Sequence, residues 1–287
     1  MFITAVPGVK KRAGLMARLR RLHQEKGTAR YCEQDGIAYY IMEIAKKKGA
    51  FNFNELRTLY PRFCGRVLLA PTLSLPDELE ALGYSSQGYV RQLMLKACMD
   101  VSKLLPLPLI RRSIGLVDED GIYASFTETL IKYSPVVKVF TQKPERYRDT
   151  CRALLEQYGA PVVITEHLAS LGDCVLVFSP DSLSMDAQVL SRALVVAGGR
   201  PQDADHRENT LCLHSLAASE AQLALVPGGI DPVDFFGAAC ELCGKRELYS
   251  LRPAAFFAGR RVIAAGELTK HIHAFFLYTR GGTPNAQ

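Results

Sequence analysis

The 287-residue chain contains no run of about 20 apolar residues, the length needed to cross a bilayer. Nor does it carry the short marks of several common enzyme classes. There is no Gly-x-Ser-x-Gly elbow, no G-x-x-x-x-G-K-(S/T) phosphate loop and no H-E-x-x-H zinc helix. Internal repeats and low-complexity runs are absent too. The opening "MFITAV" is too short for the apolar part of a secretory leader, and positive charges follow it, so no leader is expected.

Apolar residues make up 48% of the chain and charged residues 22%, an ordinary balance for a globular protein. A chain of this length is expected to build more than one core. The eight cysteines sit mostly in apolar contexts such as "DCVLVF" and "TLCLHSL". That usage predicts buried thiols in the reducing cytoplasm and no disulfide framework.

The net charge of +6 is uneven. Lys10, Lys11, Arg12, Arg18, Arg20, Arg21, Lys26 and Arg30 crowd one stretch, opposed there only by Glu25. Leu15, Leu19 and Leu22 recur at helical spacing within it, which predicts a basic amphipathic helix. No aromatic residues interleave with the charges as base-stacking platforms, so a solvated helix face is the expectation and nucleic acid is not an expected partner.

Strand-like and helix-like segments alternate. "MFITAV" and "GRVLLAP" read as strands, and "GIAYYIMEIAKKKG" and "SQGYVRQLMLKACMDVSKLL" as helices. Pro106 and Pro108 then break the chain, which places a boundary near residue 110. Beyond it, "SIGLVD", "VVKVFTQ", "PVVIT", "DCVLVFS", "ALVVAGG" and "TLCLHSL" read as strands. "GIYASFTETLIKYS", "ERYRDTCRALLEQYG" and "DAQVLSR" read as the helices between them. Strands this apolar are expected to be buried on both faces of a parallel sheet. "DPVDFFGAACELCG" reads as a helix that starts near Asp231 and ends at Gly244, and "HIHAFFLYT" reads as a final strand or helix. The expected organisation is α/β throughout: an N-terminal α/β domain over 1–110, a doubly wound, mostly parallel sheet over 111–222, and a C-terminal helical extension over 223–287.

Three segments, "IGLVDEDGIYASFTETL", "VVKVFTQKPERY" and "LGDCVLVFSP", resemble the Rossmann-type NAD(P)-binding domain of the shikimate dehydrogenase and glutamyl-tRNA reductase group. The resemblance implies a Rossmann-like, oxidoreductase-like fold and a dinucleotide at the turn after the first of these strands. The fingerprint there is degenerate. The three glycine positions of G-x-G-x-x-G fall at Asp118, Asp120 and Tyr123, and only Gly121 supplies flexibility. Two carboxylates about 4 Å from a pyrophosphate would cost several kcal/mol in a partly buried site, more than the roughly 0.3–1 kcal/mol of a helix terminus. At the end of the next strand Thr141 and Gln142 replace the usual ribose-binding acid. Lys143 and Arg146 follow, and they suit NADP better than NAD. Ser179 falls at a strand's carboxyl end, where open α/β sheets bind ligands.

The expected cofactor- or ligand-binding set is therefore Asp118, Asp120, Gly121, Thr141, Lys143 and Ser179, facing a small molecule in a cleft between the domains. No general acid or base is identified, and a homodimer is left open. Two alternatives remain. One is an NADP-dependent reductase with an atypical loop. The other takes "LVDEDGI" as resembling the first motif of haloacid dehalogenase-type phosphatases, with Asp118 as nucleophile, Asp120 as general acid and Mg²⁺ between carboxylate and phosphate. The late acidic pair of that family is poorly matched by Asp203 and Asp205. Cys240 and Cys243 form C-x-x-C at a helix end, where the dipole disfavours thiolate, so redox chemistry is not expected. Zinc held with Cys212 and His214 would need an unusual spacing, and buried thiols are the simpler expectation. His271 and His273 are expected to share a face of a strand.

Overall fold

The structure, a computed structural model, describes residues 1–8, 29–47, 50–59, 62–181, 190–198 and 207–279. Outside the described residues lie the expected basic helix, most of "DAQVLSR", Asp203, Asp205 and the final "GGTPNAQ". The strands in chain order are β1 Phe2–Pro7, β2 Ala29–Gln34, β3 Ile37–Ile44, β4 Lys46–Lys47, β5 Ala50–Phe51, β6 Val67–Leu69, β7 Ser113–Val117, β8 Val136–Phe140, β9 Val162–Thr165, β10 Leu176–Ser179, β11 Leu194–Ala197, β12 Thr210–Leu216, β13 Pro253–Ala258 and β14 Arg261–Ala264. Among the described residues, the α-helices of more than two turns are α1 Gln87–Leu104, α2 Arg148–Tyr158, α3 Pro232–Cys243 and α4 Leu268–Thr279. Among the described residues no helix is long and apolar enough to cross a membrane.

The chain divides into two compact units, Met1–Tyr89 with Ala218–Leu251, and Val90–Ala217 with Arg252–Gln287. In the first unit a sheet runs in the order β2-β3-β1-β6. The segment 36–49 is expected to be helical, but Ile37–Ile44 and Lys46–Lys47 are strand. Asp35 and Gly36 both take positive φ (50° and 68°), the turn that an Asp-Gly pair favours between antiparallel strands. Ile37, Tyr39, Met42 and Ile44 are buried, with more exposed residues between them. This near-alternation of aromatic and β-branched residues suits a pleated strand better than a helix. Phe2, Tyr39, Phe235 and Phe236 pack ring against ring, so α3 from residues 218–251 closes the core of the N-terminal sheet. Asp231 caps α3 by accepting from the Val233 amide, and Gly244 ends it at φ 74°, as the sequence signals predict.

The second unit is built on an eight-stranded sheet, β14-β13-β12-β11-β10-β7-β8-β9. All pairs from β12 to β9 are parallel, and β13 and β14 extend the sheet antiparallel. Counted from β7, the parallel strands lie in the order 3-2-1-4-5-6, the doubly wound Rossmann order. The chain runs outward through β8 and β9, returns to place β10 beside β7, and continues the other way through β11 and β12. β10 and β11 are buried along their whole length, as the apolar sequence of parallel strands predicts. One face of the sheet packs Val117, Phe140, Val177, Val195 and Cys212 with Leu171 and Leu190.

Three local expectations change. Residues 121–134 form a 3₁₀ turn, Ala124–Phe126, and a one-turn helix, Thr127–Leu130, in place of a full helix. The Thr127 hydroxyl donates to the Ala124 carbonyl, the kind of local bond that competes with helix continuation. Residues 253–264 are the hairpin β13–β14, although a helical extension is expected there. "HIHAFFLYT" is helical, so His271 and His273, two apart, do not share a face; His271 is half-buried and His273 exposed.

Candidate functional site

The β7 and β10 strands mark the point where the winding reverses, and ligands of open α/β sheets bind beyond the carboxyl ends of strands there. Phe178 lies beside Leu116, which lies beside Val139. That register brings Asp118, Thr141 and Ser179 to one edge of the sheet, one or two residues beyond these partners or at the strand end. All three are buried.

Asp118 is 2% exposed. Its backbone amide still extends the ladder by donating to the Phe140 carbonyl. Its carboxylate turns back into the loop. One oxygen accepts from the Ile122 amide (3.0 Å). The other accepts from the Tyr123 amide (2.8 Å) and from the Tyr147 hydroxyl. These two successive amides, just past the first strand, are the donors with which a Rossmann turn would grip a phosphate. Here the protein's own carboxylate holds them. Tyr147 is fully buried, and burial together with the bond to Asp118 pushes its hydroxyl far above the ordinary tyrosine range. It therefore stays a donor to Asp118.

The turn is sealed from the β8 side. Gly121 sits at φ 67°, and a Cβ there would lie 2.9 Å from Arg146 Cδ and 3.3 Å from Lys143 Cβ. The Glu119 carbonyl accepts from the Gln142 amide and the Thr141 hydroxyl, and Thr141 Oγ1 accepts in turn from the Lys143 amide. Thr141 thus serves as a brace between two loops. Glu119, Asp120, Lys143 and Arg146 are exposed, so Asp120 does not share the buried setting of Asp118. The sequence places both carboxylates in the turn but cannot show that one faces inward.

On the β10 side, the Ser179 hydroxyl donates to the Asp181 carbonyl (3.1 Å). Asp181 accepts from Arg91 Nε (2.6 Å), which comes from α1. Among the described residues, the Tyr123 hydroxyl is buried without a hydrogen-bond partner. Burial raises it to about 12, the Asp181 charge adds to the rise, and Arg91 opposes it. Gly198, just after β11, allows the chain to pass against Pro180; a Cβ there would fall 1.6 Å from the Pro180 carbonyl oxygen. Tyr147, Arg91 and Asp181 carry no motif in the sequence, since each reaches the site through the tertiary path of a different segment.

Asp118 is poorly placed as a phosphatase nucleophile or Mg²⁺ ligand, because both its oxygens are engaged by internal donors. Among the described residues no group of three or more His, Cys, Asp or Glu converges as a metal set. Cys240 Sγ donates to the Lys245 carbonyl and Cys243 Sγ to the Ala38 carbonyl, as thiols do. His214 packs edge-on against Phe257.

No protein-family model matches the chain, and no curated protein matches it. Among solved structures, L-tryptophan dehydrogenase from Nostoc punctiforme is similar at 13% identity and a TM-score of 0.34, over 96% of this chain and 78% of that one. At that level of likeness the fold is established by the strand order itself.

Proposed function

We propose that the second unit is a Rossmann-fold binding domain of oxidoreductase descent that takes a small ligand without holding NAD or NADP in the usual pose. One observation carries the reading: the Asp118 carboxylate occupies the Ile122 and Tyr123 amides that a pyrophosphate would need. A dinucleotide must displace a buried, triply bonded carboxylate and move the Arg146 stem off Gly121. The ligand lies beyond the carboxyl ends of β7 and β10, where Ser179, Asp181, Arg91 and Tyr123 offer polar groups. Titration calorimetry with NAD and NADP tests this. No saturable binding is expected up to about 1 mM. Micromolar binding of either cofactor by the unaltered chain refutes the reading.

The competing reading, an NADP-dependent reductase, draws on Lys143 and Arg146. Both are exposed beyond the end of β8, where a 2′-phosphate would sit. In that case NADP, and not NAD, binds in the same titration.

A further inference from the structure

We propose that the amino-terminal edge of the large sheet holds a second site, for a small molecule bearing a phosphate or carboxylate group, with Arg261 and His271 as its polar anchors. The inference is independent of the reading of the switch-point crevice, because the two places lie at opposite ends of the parallel strands.

A cavity of about 750 Å³ opens at this edge, within the range of small-molecule pockets. Arg207 and Asn209 reach it from the residues just before β12, and Arg261 from the start of β14. His271 and Phe275 reach it from α4. The Asn209 amide nitrogen donates to the Leu190 and Ala193 carbonyls, which ties down the floor.

Two features of the wall are unfinished. Among the described residues, His271 Nε2 is buried and has no hydrogen-bond partner. Buried polar atoms in folded proteins are nearly all satisfied, so this one is open to a bound group. Burial lowers the ring's affinity for a proton, a hydrogen bond to the Glu208 backbone opposes that, and the nearby Arg261 charge reinforces it. The Arg261 side chain, for its part, has no ion-pair or hydrogen-bond partner among the described residues.

A single bound oxyanion answers both. It accepts from the Arg261 guanidinium in a two-pronged geometry and neutralises the charge that bears on His271. It also favours the imidazolium form of His271, in which Nε2 gains a proton to donate to the anion, against the lowered proton affinity that burial imposes. Glu208, which lines the same cavity, sets a limit on how much negative charge is tolerated and favours a monoanionic group over a polyphosphate. Phe275 offers an apolar wall for the rest of the molecule.

The test is titration calorimetry of the full chain with inorganic phosphate and, separately, with acetate, alongside histidine imidazole resonances in NMR. Saturable binding of either probe is expected, together with a shift of the His271 resonances, and the stronger probe identifies the headgroup. Arg261→Gln should weaken binding about tenfold or more. Arg261 is exposed, so this variant is expected to fold normally. His271→Gln should weaken it as well, and because Arg261 and His271 lie at the opposite end of the parallel strands from the crevice, a loss with either variant separates the two sites. No heat from either probe at about 10 mM overturns the proposal. So does binding that Arg261→Gln leaves intact or that fails to move the His271 resonances.

Discussion

Replacing Asp118 by alanine tests whether its carboxylate is the resident anion of the turn. The substitution removes three hydrogen bonds to a charged acceptor, from the Ile122 and Tyr123 amides and the Tyr147 hydroxyl. The donors do not suffer equally. The two amides lie at the partly exposed rim and can turn to water, so each loses about 1 kcal/mol. Tyr147 is fully buried, and its hydroxyl is left without an acceptor at a cost of about 1–3 kcal/mol. The sum is a loss of about 3–5 kcal/mol in the stability of the second unit. Urea unfolding followed by tyrosine fluorescence and circular dichroism measures it, since the chain has no tryptophan. Tyr147→Phe, which keeps the carboxylate and its two amide bonds, should lose about 1–2 kcal/mol. Formate supplies the missing group from solution. Measured in an Arg261→Gln background, which removes the proposed second anion site, formate at about ten times its dissociation constant should restore about 1.4 kcal/mol to Asp118→Ala and nothing to the protein that keeps Asp118. A loss below about 1 kcal/mol, or an equal formate effect on both proteins, would show that the amides are satisfied without Asp118.

Gly198→Ala places a methyl group 1.6 Å from the Pro180 carbonyl oxygen, a backbone atom that cannot swing aside. A loss of more than about 4 kcal/mol, or failure to fold, is expected in thermal unfolding, and a near-neutral outcome would mean the two segments do not approach this closely. Alkaline pH should also destabilise the protein. Burial is the chief cause that raises the Tyr123, Tyr147 and Tyr84 hydroxyls above the ordinary tyrosine value of about 10, and Tyr123 reaches about 12. Their contribution is fully present below pH 10 and is lost as the pH rises from there towards the folded values, because the unfolded chain releases these protons first. Phenolate absorbance should show several tyrosines that ionise only as the chain unfolds; a single ordinary titration near pH 10 would contradict their burial.

The doubly wound sheet was legible because its strands carry their own signal. Runs such as "DCVLVFS" and "ALVVAGG" are too apolar to have a solvent face, and buried parallel strands follow from that. Helix limits at Gly159 and Gly244 were legible for a local reason as well, since a left-handed residue after a helical stretch favours glycine. The misread segment at 36–49 shows how a local signal is overlooked. An Asp-Gly turn and near-alternating burial stand there, but a run of apolar residues ending in lysines also fits a helix. The carboxyl-edge placement of Asp118, Thr141 and Ser179 also follows from the strand pattern, because parallel strands end on one side.

What the sequence could not decide depends on contacts between distant segments. Nothing local shows that residues 218–251 return to the first unit, because α3 is apolar enough to cover any sheet and only the aromatic packing of Phe235 against Phe2 and Tyr39 selects one. The hairpin β13–β14 likewise depends on an open edge at β12. The direction of the Asp118 side chain is the clearest case. As letters in a turn, Asp118 and Asp120 are equivalent acids. Only the arrival of the buried Tyr147 hydroxyl from the β8 loop, beside two amides of the turn itself, makes an inward carboxylate cheaper than a solvated one, while Asp120 stays in water.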